Sequence, residues 1–119
     1  MLGAENAAAA EKVARRIGAS PLVKTAIFGA DPNWGRFVSA AGYAGVEFEE
    51  EQLSLWLGDL LLYHHGVPQP FDAGTASAYV KRERHVTLRF RFTLGTGRCT
   101  FWTCDLGYEY VRLNAEYTT

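Results

Sequence analysis

The feature that most constrains the fold is a strict alternation of side chains over residues 85–94, where five apolar residues alternate with polar ones. Because successive side chains of a strand point to opposite faces, this pattern predicts a strand with one buried and one solvated face. A turn is predicted at residues 95–97, and residues 98–104 are predicted to return as the antiparallel partner. The apolar members are Val86, Leu88, Phe90, Phe92 and Leu94.

Two further segments have the composition and boundaries of helices. The Ala-rich residues 5–17 combine the best helix-forming residue with a glutamate at the start, and Gly18 is the expected C-cap. Residues 71–82 follow a Pro-rich break, with Asp72 as the expected N-cap. Both segments are therefore predicted to be helices that bury one face.

Two more helices are predicted from start signals and from apolar spacing. Asp31 followed by Pro32 favours a helix that extends to about residue 43, because the carboxylate caps free N–H groups and proline suits the first turn. The last helix is predicted from about residue 106, with Tyr110 and Leu113 facing inward.

The remaining elements are predicted as strands and a loop. Residues 20–28 end in a β-branched and aromatic run that favours a strand. Residues 53–57 and 60–63 flank Gly58-Asp59 and are predicted to form a hairpin, although the Leu-rich second arm suits a buried helix equally well. The acidic residues 47–52 are predicted to be a solvated loop.

The predicted order of elements, α-β-α-β-β-α-β-β-α, indicates an α+β fold with a mostly antiparallel sheet and helices packed on one face. At 119 residues the chain is long enough for one core, so residues 1–119 are treated as a single domain.

Composition excludes several classes of function. The net charge is −1 and the pI is about 6.3, which gives no electrostatic reason to expect a nucleic acid or a membrane surface as a partner. No apolar run approaches the roughly 20 residues that span a bilayer, and the start lacks the pattern of a signal peptide. Cys99 and Cys104 are five residues apart on one predicted strand, hence on opposite faces, and are expected to be buried free thiols.

No complete catalytic or metal-binding motif is present in the chain. His64 and His65 are adjacent, so their rings diverge, and a polar turn is the favoured interpretation. His85 is expected at the surface, and no triad can be proposed. The cluster at residues 31–36 could hold an anion at a helix start, but a structural role is favoured, with Trp34 packed.

The last fifteen residues keep a dense apolar pattern almost to the final carboxylate, although chain ends are usually frayed and polar. Such a tail is expected to pack into the fold. Its terminal polar groups, Asn114 and Thr119, could then line a site.

Three long motifs resemble one known family. They are SPLVKTAIFG at residues 20–29, DPNWGR at residues 31–36 and CDLGYEYVRLNAEYTT at residues 104–119. Together they are similar to the ornithine acetyltransferase family, whose members are glutamate N-acetyltransferases of arginine biosynthesis. The resemblance runs from about Gly3 to the last residue. It is weakest over residues 48–66 and departs from the family at Thr103 and Gly107.

The resemblance implies the C-terminal part of the β chain of an enzyme with the DmpA/ornithine acetyltransferase-like fold, which moves acetyl from N-acetylornithine to glutamate. The nucleophile would be an N-terminal threonine created by self-cleavage upstream of this chain, so no catalytic residue is expected here. Asn114 and Thr119 are the implied substrate-binding residues, since an amide and a hydroxyl can both donate and accept hydrogen bonds.

The resemblance further implies a cytoplasmic enzyme without a metal or bound cofactor, and it leaves acetyl-CoA open as a second acetyl donor. The expected partners are the small-molecule substrates, the upstream α and β segments and further copies in an oligomer. The alternative is a non-enzymatic α+β module that binds a small ligand or a protein partner.

Overall fold

The computed structural model describes residues 7–30, 34–43, 48–104 and 110–117, and over these ranges the fold is α+β. The helices of this described part are α1 (Ala7–Ala19), α2 (Pro21–Phe28), α3 (Trp34–Gly42) and α4 (Ala73–Arg82), with a 3₁₀ turn at Glu50–Gln52. Its strands are β1 (Leu53–Leu57), β2 (Leu60–His64), β3 (Val67–Pro68), β4 (His85–Phe92), β5 (Arg98–Cys104) and β6 (Tyr110–Tyr117).

The strands form one sheet in the order β3-β2-β1-β4-β6-β5. All neighbours among these strands are antiparallel except β4 and β6, which run parallel. The predicted mostly antiparallel sheet is therefore confirmed.

The alternation in β4 divides the sheet into a buried and an open face, as predicted. Its four apolar side chains are fully buried, together with Leu55 and Leu57 on β1 and Leu113 on β6. Helix α1 packs against β5 and β6 on this side, and Trp34 of α3 stacks on Tyr63 of β2 with ring centroids 5.3 Å apart. The core thus lies between one face of the sheet and these helices.

Gly18 lies inside α1 and is not its C-cap, because the helix continues to Ala19. A Cβ at this position would lie 2.7 Å from Cε2 of Phe101 and 3.2 Å from Cδ1 of Leu113. The Thr103 hydroxyl donates a 3.1 Å hydrogen bond to the Gly18 carbonyl. The missing side chain is what lets α1 approach the sheet closely.

The predicted strand at residues 20–28 is wrong, since this segment forms α2. Pro21 occupies the first turn, where its fixed φ suits a helix, and the Thr25 hydroxyl donates to the Pro21 carbonyl at 2.7 Å. Val23, Ala26 and Ile27 are buried at helical spacing, so packing outweighs the weak helix propensity of the β-branched residues.

The predicted C-terminal helix is also wrong, because residues 110–117 form β6. Val111 and Leu113 are buried, whereas Arg112 between them is exposed, and this two-residue period is that of a strand. Reading Tyr110 and Leu113 as one helical face overlooked that alternation.

The partner predicted for residues 98–104 is wrong as well. β5 pairs antiparallel with β6, and β6 lies between β5 and β4. The two strands that are neighbours in sequence are therefore not neighbours in the sheet, because the C-terminal segment inserts between them.

The hairpin of β1 and β2 is confirmed, and its turn uses Gly58 with φ of 58°. The helix at α4 is confirmed with its cap: the Asp72 carboxylate accepts hydrogen bonds from the backbone N–H groups of Gly74 at 2.8 Å and Thr75 at 3.4 Å. The helix expected after residue 31 is present as α3, but the proposed Asp31 cap lies outside the described residues.

None of the helices in the described ranges is both long and apolar enough to cross a bilayer.

Replacing Gly18 with alanine should lower the free energy of unfolding by about 1–3 kcal/mol, because the new methyl group would collide with the Phe101 ring. Gly42→Ala is the matched control, since nothing lies within 4 Å of its added Cβ. Both changes gain similar helix propensity, about 1 kcal/mol at most. Urea denaturation of both variants checks the difference, and equal stabilities would contradict the close packing of α1.

Asp72 should make the stability of α4 depend on pH. Hydrogen bonds from Gly74 and Thr75 hold the pKa of the Asp72 carboxyl below its usual value of 3.8. Its contribution is therefore present above pH 3.8 and is lost as the pH falls through the lower pKa of the folded state. We expect Asp72→Ala to reduce the melting temperature at neutral pH, with the deficit shrinking in acid.

Asp72→Asn is the control for this experiment, because asparagine caps helices comparably but carries no charge. Thermal melts of the three proteins from pH 2 to pH 7 give the comparison. A constant deficit for Asp72→Ala over this whole range would argue against the charged cap.

Candidate functional site

The structure describes the backbone of one of the two substrate-binding residues that the family resemblance implies, and not the other. Asn114 lies on β6, where its backbone is in register with Arg89 of β4 and Thr100 of β5. Thr119 lies outside the described residues, so the pairing of Asn114 with Thr119 stays a prediction.

The open face of the sheet around this position is rich in arginine and tryptophan. Register and exposure place side chains from β1, β4, β5 and β6 on one surface, which we call the basic face. It carries four of the twelve basic residues of the chain but one of the thirteen acidic ones, counted over the described side chains. The residues that define the basic face are Trp56, Arg89, Arg91, Arg98, Trp102, Arg112 and Glu116.

The two tryptophans of the basic face are stacked against guanidinium groups. The Cζ atoms of Arg89 and Arg91 lie 4.4 and 5.4 Å from the centroid of the Trp56 ring. Arg112 lies over Trp102 at 6.0 Å. Such cation–π contacts hold the cationic side chains flat against the sheet.

Charge on the basic face is poorly compensated within the described part of the chain. Arg91 donates to Glu116 at 3.4 Å, and no ion pair joins Arg89, Arg98 or Arg112 to a described acidic side chain. The Nε atom of Arg89 is buried and has no hydrogen-bond partner among the described residues. Buried polar groups are normally satisfied, so this donor calls for an acceptor.

Two cavities reach the strands on either side of Asn114. A cavity of about 620 Å³ lies between α4 and the start of β4, and its lining includes Tyr79, Arg82 and Arg89. A smaller one of about 250 Å³ is lined by Thr100, Arg112 and other residues of β5 and β6. Asn114 thus occupies a register position between the linings of two open cavities. The linings carry both signs of charge: the larger cavity has Asp59 and Glu83 beside its two arginines, and the smaller has Glu116 beside Arg98 and Arg112. The guanidinium groups among them suit ligands that carry carboxylates.

Sequence reasoning overlooked the basic face. The polar residues that alternate along β4 were assigned to the solvated face of the sheet without regard to the sign of their charge. Arg89 and Arg91, two residues apart, were a visible signal that one face of this strand concentrates positive charge. Arg98 and Arg112 could join them only once β6 was known to lie between β4 and β5.

The histidines form no catalytic or metal constellation in the described residues. The rings of His64 and His65 do not diverge as predicted, because their centroids lie 4.3 Å apart in an edge contact. His64 is exposed at the end of β2, and His65 occupies the turn with φ of 46°, its Nδ1 lying 3.2 Å from the Glu51 carbonyl. His85 is exposed and lies against Trp102 with centroids 5.6 Å apart. No group of three described His, Cys, Asp or Glu side chains could hold a metal ion.

The DPNWGR cluster has the packing role predicted for its tryptophan. Trp34 is partly buried against the core and stacks on Tyr63. Residues 31–33 of the cluster lie outside the described residues, so the alternative of an anion site there has no structural test.

Comparison with known proteins identifies the family of this chain. The sequence model of the ArgJ family matches residues 1–119. This chain belongs to the ArgJ family. The solved ArgJ of Bacillus halodurans superposes with a TM-score of 0.83 at 38% sequence identity, covering 87% of this chain and 49% of that one. The motif-based assignment and the expected fold are both confirmed.

Two relatives illustrate the match in sequence. The arginine biosynthesis bifunctional protein ArgJ of Citrullus lanatus, a chloroplastic protein, is 51% identical over 121 residues, and ArgJ 1 of Nostoc sp. is 50% identical over 125 residues. Each alignment covers 98% of this chain but 26% and 30% of the relative, respectively. The chain therefore spans between a quarter and a third of the length of these ArgJ proteins.

The two free cysteines lie on opposite faces of β5, as predicted, but Cys104 is exposed and so is not the buried thiol that was expected. Cys99 is partly buried on the α1 side. Burial raises the pKa of the Cys99 thiol, and the Glu11 carboxylate raises it further.

Cys99 should therefore react more slowly than the exposed Cys104 with a thiol reagent at pH 8, because the thiolate is the reactive species, the pKa of Cys99 is raised and its side chain is partly buried. Mass spectrometry of peptides after brief iodoacetamide treatment measures both rates. Cys104→Ser is the control and should leave slow labelling at Cys99 alone. Equal rates would contradict the burial of Cys99.

Proposed function

We propose that this ArgJ-family chain is the C-terminal part of an arginine-biosynthesis acetyltransferase that moves acetyl from N-acetylornithine to glutamate. One observation carries the proposal: the family match extends over all 119 residues and includes the tail that holds Asn114. The relatives that share about half of these residues bear the name arginine biosynthesis bifunctional protein.

The proposed reaction has two half-reactions. A threonine hydroxyl at the N-terminus of the β chain, upstream of this segment, attacks the acetyl carbonyl of N-acetylornithine, and the C–N bond breaks to release ornithine and an acetyl-threonine ester. The amino group of glutamate then attacks that ester, which yields N-acetylglutamate and restores the hydroxyl. Acetyl-CoA would be a second donor: the same threonine hydroxyl would attack its thioester, release CoA as the free thiol and form the same acetyl-threonine ester.

The contribution of this chain is a wall of the amino-acid site. Asn114 would bind the polar groups that ornithine and glutamate share, with Thr119 completing the contact from the chain end. Support comes from the strand that carries Asn114: β6 is bonded on both sides, to β4 and to β5, and both its described apolar side chains, Val111 and Leu113, are buried. A residue on such a strand is held in one position, which a binding contact requires.

We further propose that the complete protein is a cytoplasmic oligomer without a metal or bound cofactor, in which residues 1–119 form one domain beside the upstream α and β segments. The proposed reaction needs only a nucleophile and an oxyanion site.

Asn114→Ala in the complete protein should raise the KM for N-acetylornithine by about tenfold, the effect expected when a hydrogen bond to a charged substrate group is lost. Acetyl transfer to glutamate, followed by chromatography of N-acetylglutamate, gives kcat and KM. Asn114→Asp keeps the shape of the side chain but adds a negative charge. Its KM should stay close to that of Asn114→Ala, since a carboxylate repels the α-carboxylate of the substrate.

Wild-type protein that folds but transfers no acetyl from N-acetylornithine would favour the non-enzymatic binding module instead. An unchanged KM in Asn114→Ala, with activity present, would remove Asn114 from the site while leaving the acetyltransferase assignment in place. Arg15→Ala is a suitable control, because Arg15 is exposed on α1 and pairs with Glu11 at 2.8 Å, away from the basic face.

A further inference from the structure

We propose that the basic face is the surface on which the upstream, nucleophile-bearing part of the full-length protein docks, and that this partner presents carboxylates to the arginines. The inference rests on the proposed function. If this chain supplies one wall of the substrate site, the part of the protein that supplies the opposite wall must contact it near the same residues. The inference goes beyond that function by assigning the contact surface and the charge of its partner.

Aromatic exposure on the basic face is the first observation. Trp102 is 53% exposed although it lies in the middle of β5, and Trp56 is partly buried on the same surface. Large apolar side chains beside arginine are typical of the centre of a protein interface. Among the described residues, helix α1 packs on the opposite side of β5 and β6, so Arg98, Trp102 and Arg112 are exposed there. At the start of β4, by contrast, α4 lines a cavity together with Arg89.

Charge is the second observation. Among the described side chains, the basic face has four guanidinium groups and one carboxylate. That carboxylate belongs to Glu116, which already pairs with Arg91. The chain as a whole has one more acidic than basic residue, so this surface concentrates positive charge against the overall balance. A covering surface with carboxylates would neutralise it, and interface potentials are commonly matched in this way.

The unmet donor at Arg89 is the third observation. Its Nε is already shielded from solvent by this chain but finds no acceptor among the described residues. The Cζ atom of the same guanidinium lies 4.4 Å from the centroid of the Trp56 ring, and an acceptor on the partner would satisfy the donor once the side chain turns toward it.

Charge also argues against a second copy as the occupant. Two copies joined through this face by a twofold axis would bring equal surfaces together, with arginines opposing arginines. Like charges brought together and desolvated are costly. The ArgJ relatives, which are three to four times as long as the portion aligned here, provide a different occupant within one protein.

Asn114 links the basic face to the proposed site. It is in register with Arg89 and two residues from both Arg112 and Glu116 on β6. A partner seated on this surface would bring its own groups to the strand that carries the substrate contact. Docking and completion of the site would then be one event.

Hydroxyl-radical footprinting of tryptophan tests the proposal in the full-length protein and in the 119-residue chain. We expect the oxidation rate of Trp102 to be lower in the full-length protein by about tenfold or more, as for a side chain in the fully buried centre of an interface. Tyr43, which is 78% exposed, is the internal control and should react equally in both.

The charge of the partner is tested by reversing two exposed arginines, Arg98→Glu with Arg112→Glu, in the full-length protein. Repulsion by the carboxylates of the partner should return the oxidation of Trp102 to at least half the rate in the 119-residue chain. Lys12→Glu with Lys81→Glu makes the same change of charge on α1 and α4 and should leave Trp102 protected. Circular dichroism of the corresponding 119-residue variants verifies that the sheet is intact.

Three results would overturn the proposal. Equal oxidation of Trp102 in both proteins would mean that the face is not covered. Protection that persists after charge reversal would mean that the partner is not acidic. Protection in the 119-residue chain that disappears on dilution would identify a second copy as the occupant.

Acetyl transfer measured on the same samples separates this inference from the proposed function. An active full-length protein with an unprotected Trp102 would refute docking alone. A protected Trp102 in an inactive protein would refute the acetyltransferase assignment while retaining the interface.

Discussion

The whole sheet depends on the pairing of β6 with two strands at once. Its backbone bonds to β4 in parallel and to β5 in antiparallel register, over eight and seven residue pairs. Without β6, the edge of β4 would be unpaired and β5 would have no partner in the sheet. Because unpaired backbone groups and uncovered apolar faces are both costly, the C-terminal segment closes the fold instead of trailing from it. Helix α1 then packs closely against β5 and β6 at Gly18, whose missing side chain leaves room for Phe101 and Leu113.

Local signals in the sequence were sufficient wherever one segment determines its own structure. The alternation of β4, the hairpin around Gly58 and the Asp72 cap of α4 all depend on residues within one turn or one strand of each other. The family was recognised for a different reason, since three long motifs are specific whatever structure they adopt. That is why the family and fold class were correct while α2 and β6 were assigned the wrong secondary structure.

The errors occur where distant residues decide the outcome. Residues 20–28 look like a strand by composition, but burial of Val23 and Ile27 between neighbouring helices makes them α2. β6 follows β5 directly in the sequence and pairs with it antiparallel, but its parallel pairing with β4, which separates β4 from β5, is settled by packing across the whole sheet. Leu113, for instance, is buried against Gly18, 95 positions earlier in the chain, so the register of β6 is a tertiary property.

The candidate site shows the same division between local and distant information. Asn114 could be named from a motif, but its surroundings could not, because Arg89 and Thr100 approach it from strands whose order was unknown. The described side chains on the strands beside this position are mostly cationic, whereas the amide that we propose as a substrate contact is neutral. A central strand held by bonds on both sides keeps such a neutral contact at a fixed position. In the acetyltransferase that we propose, the transfer chemistry would then reside in another part of the protein, provided that part meets this strand.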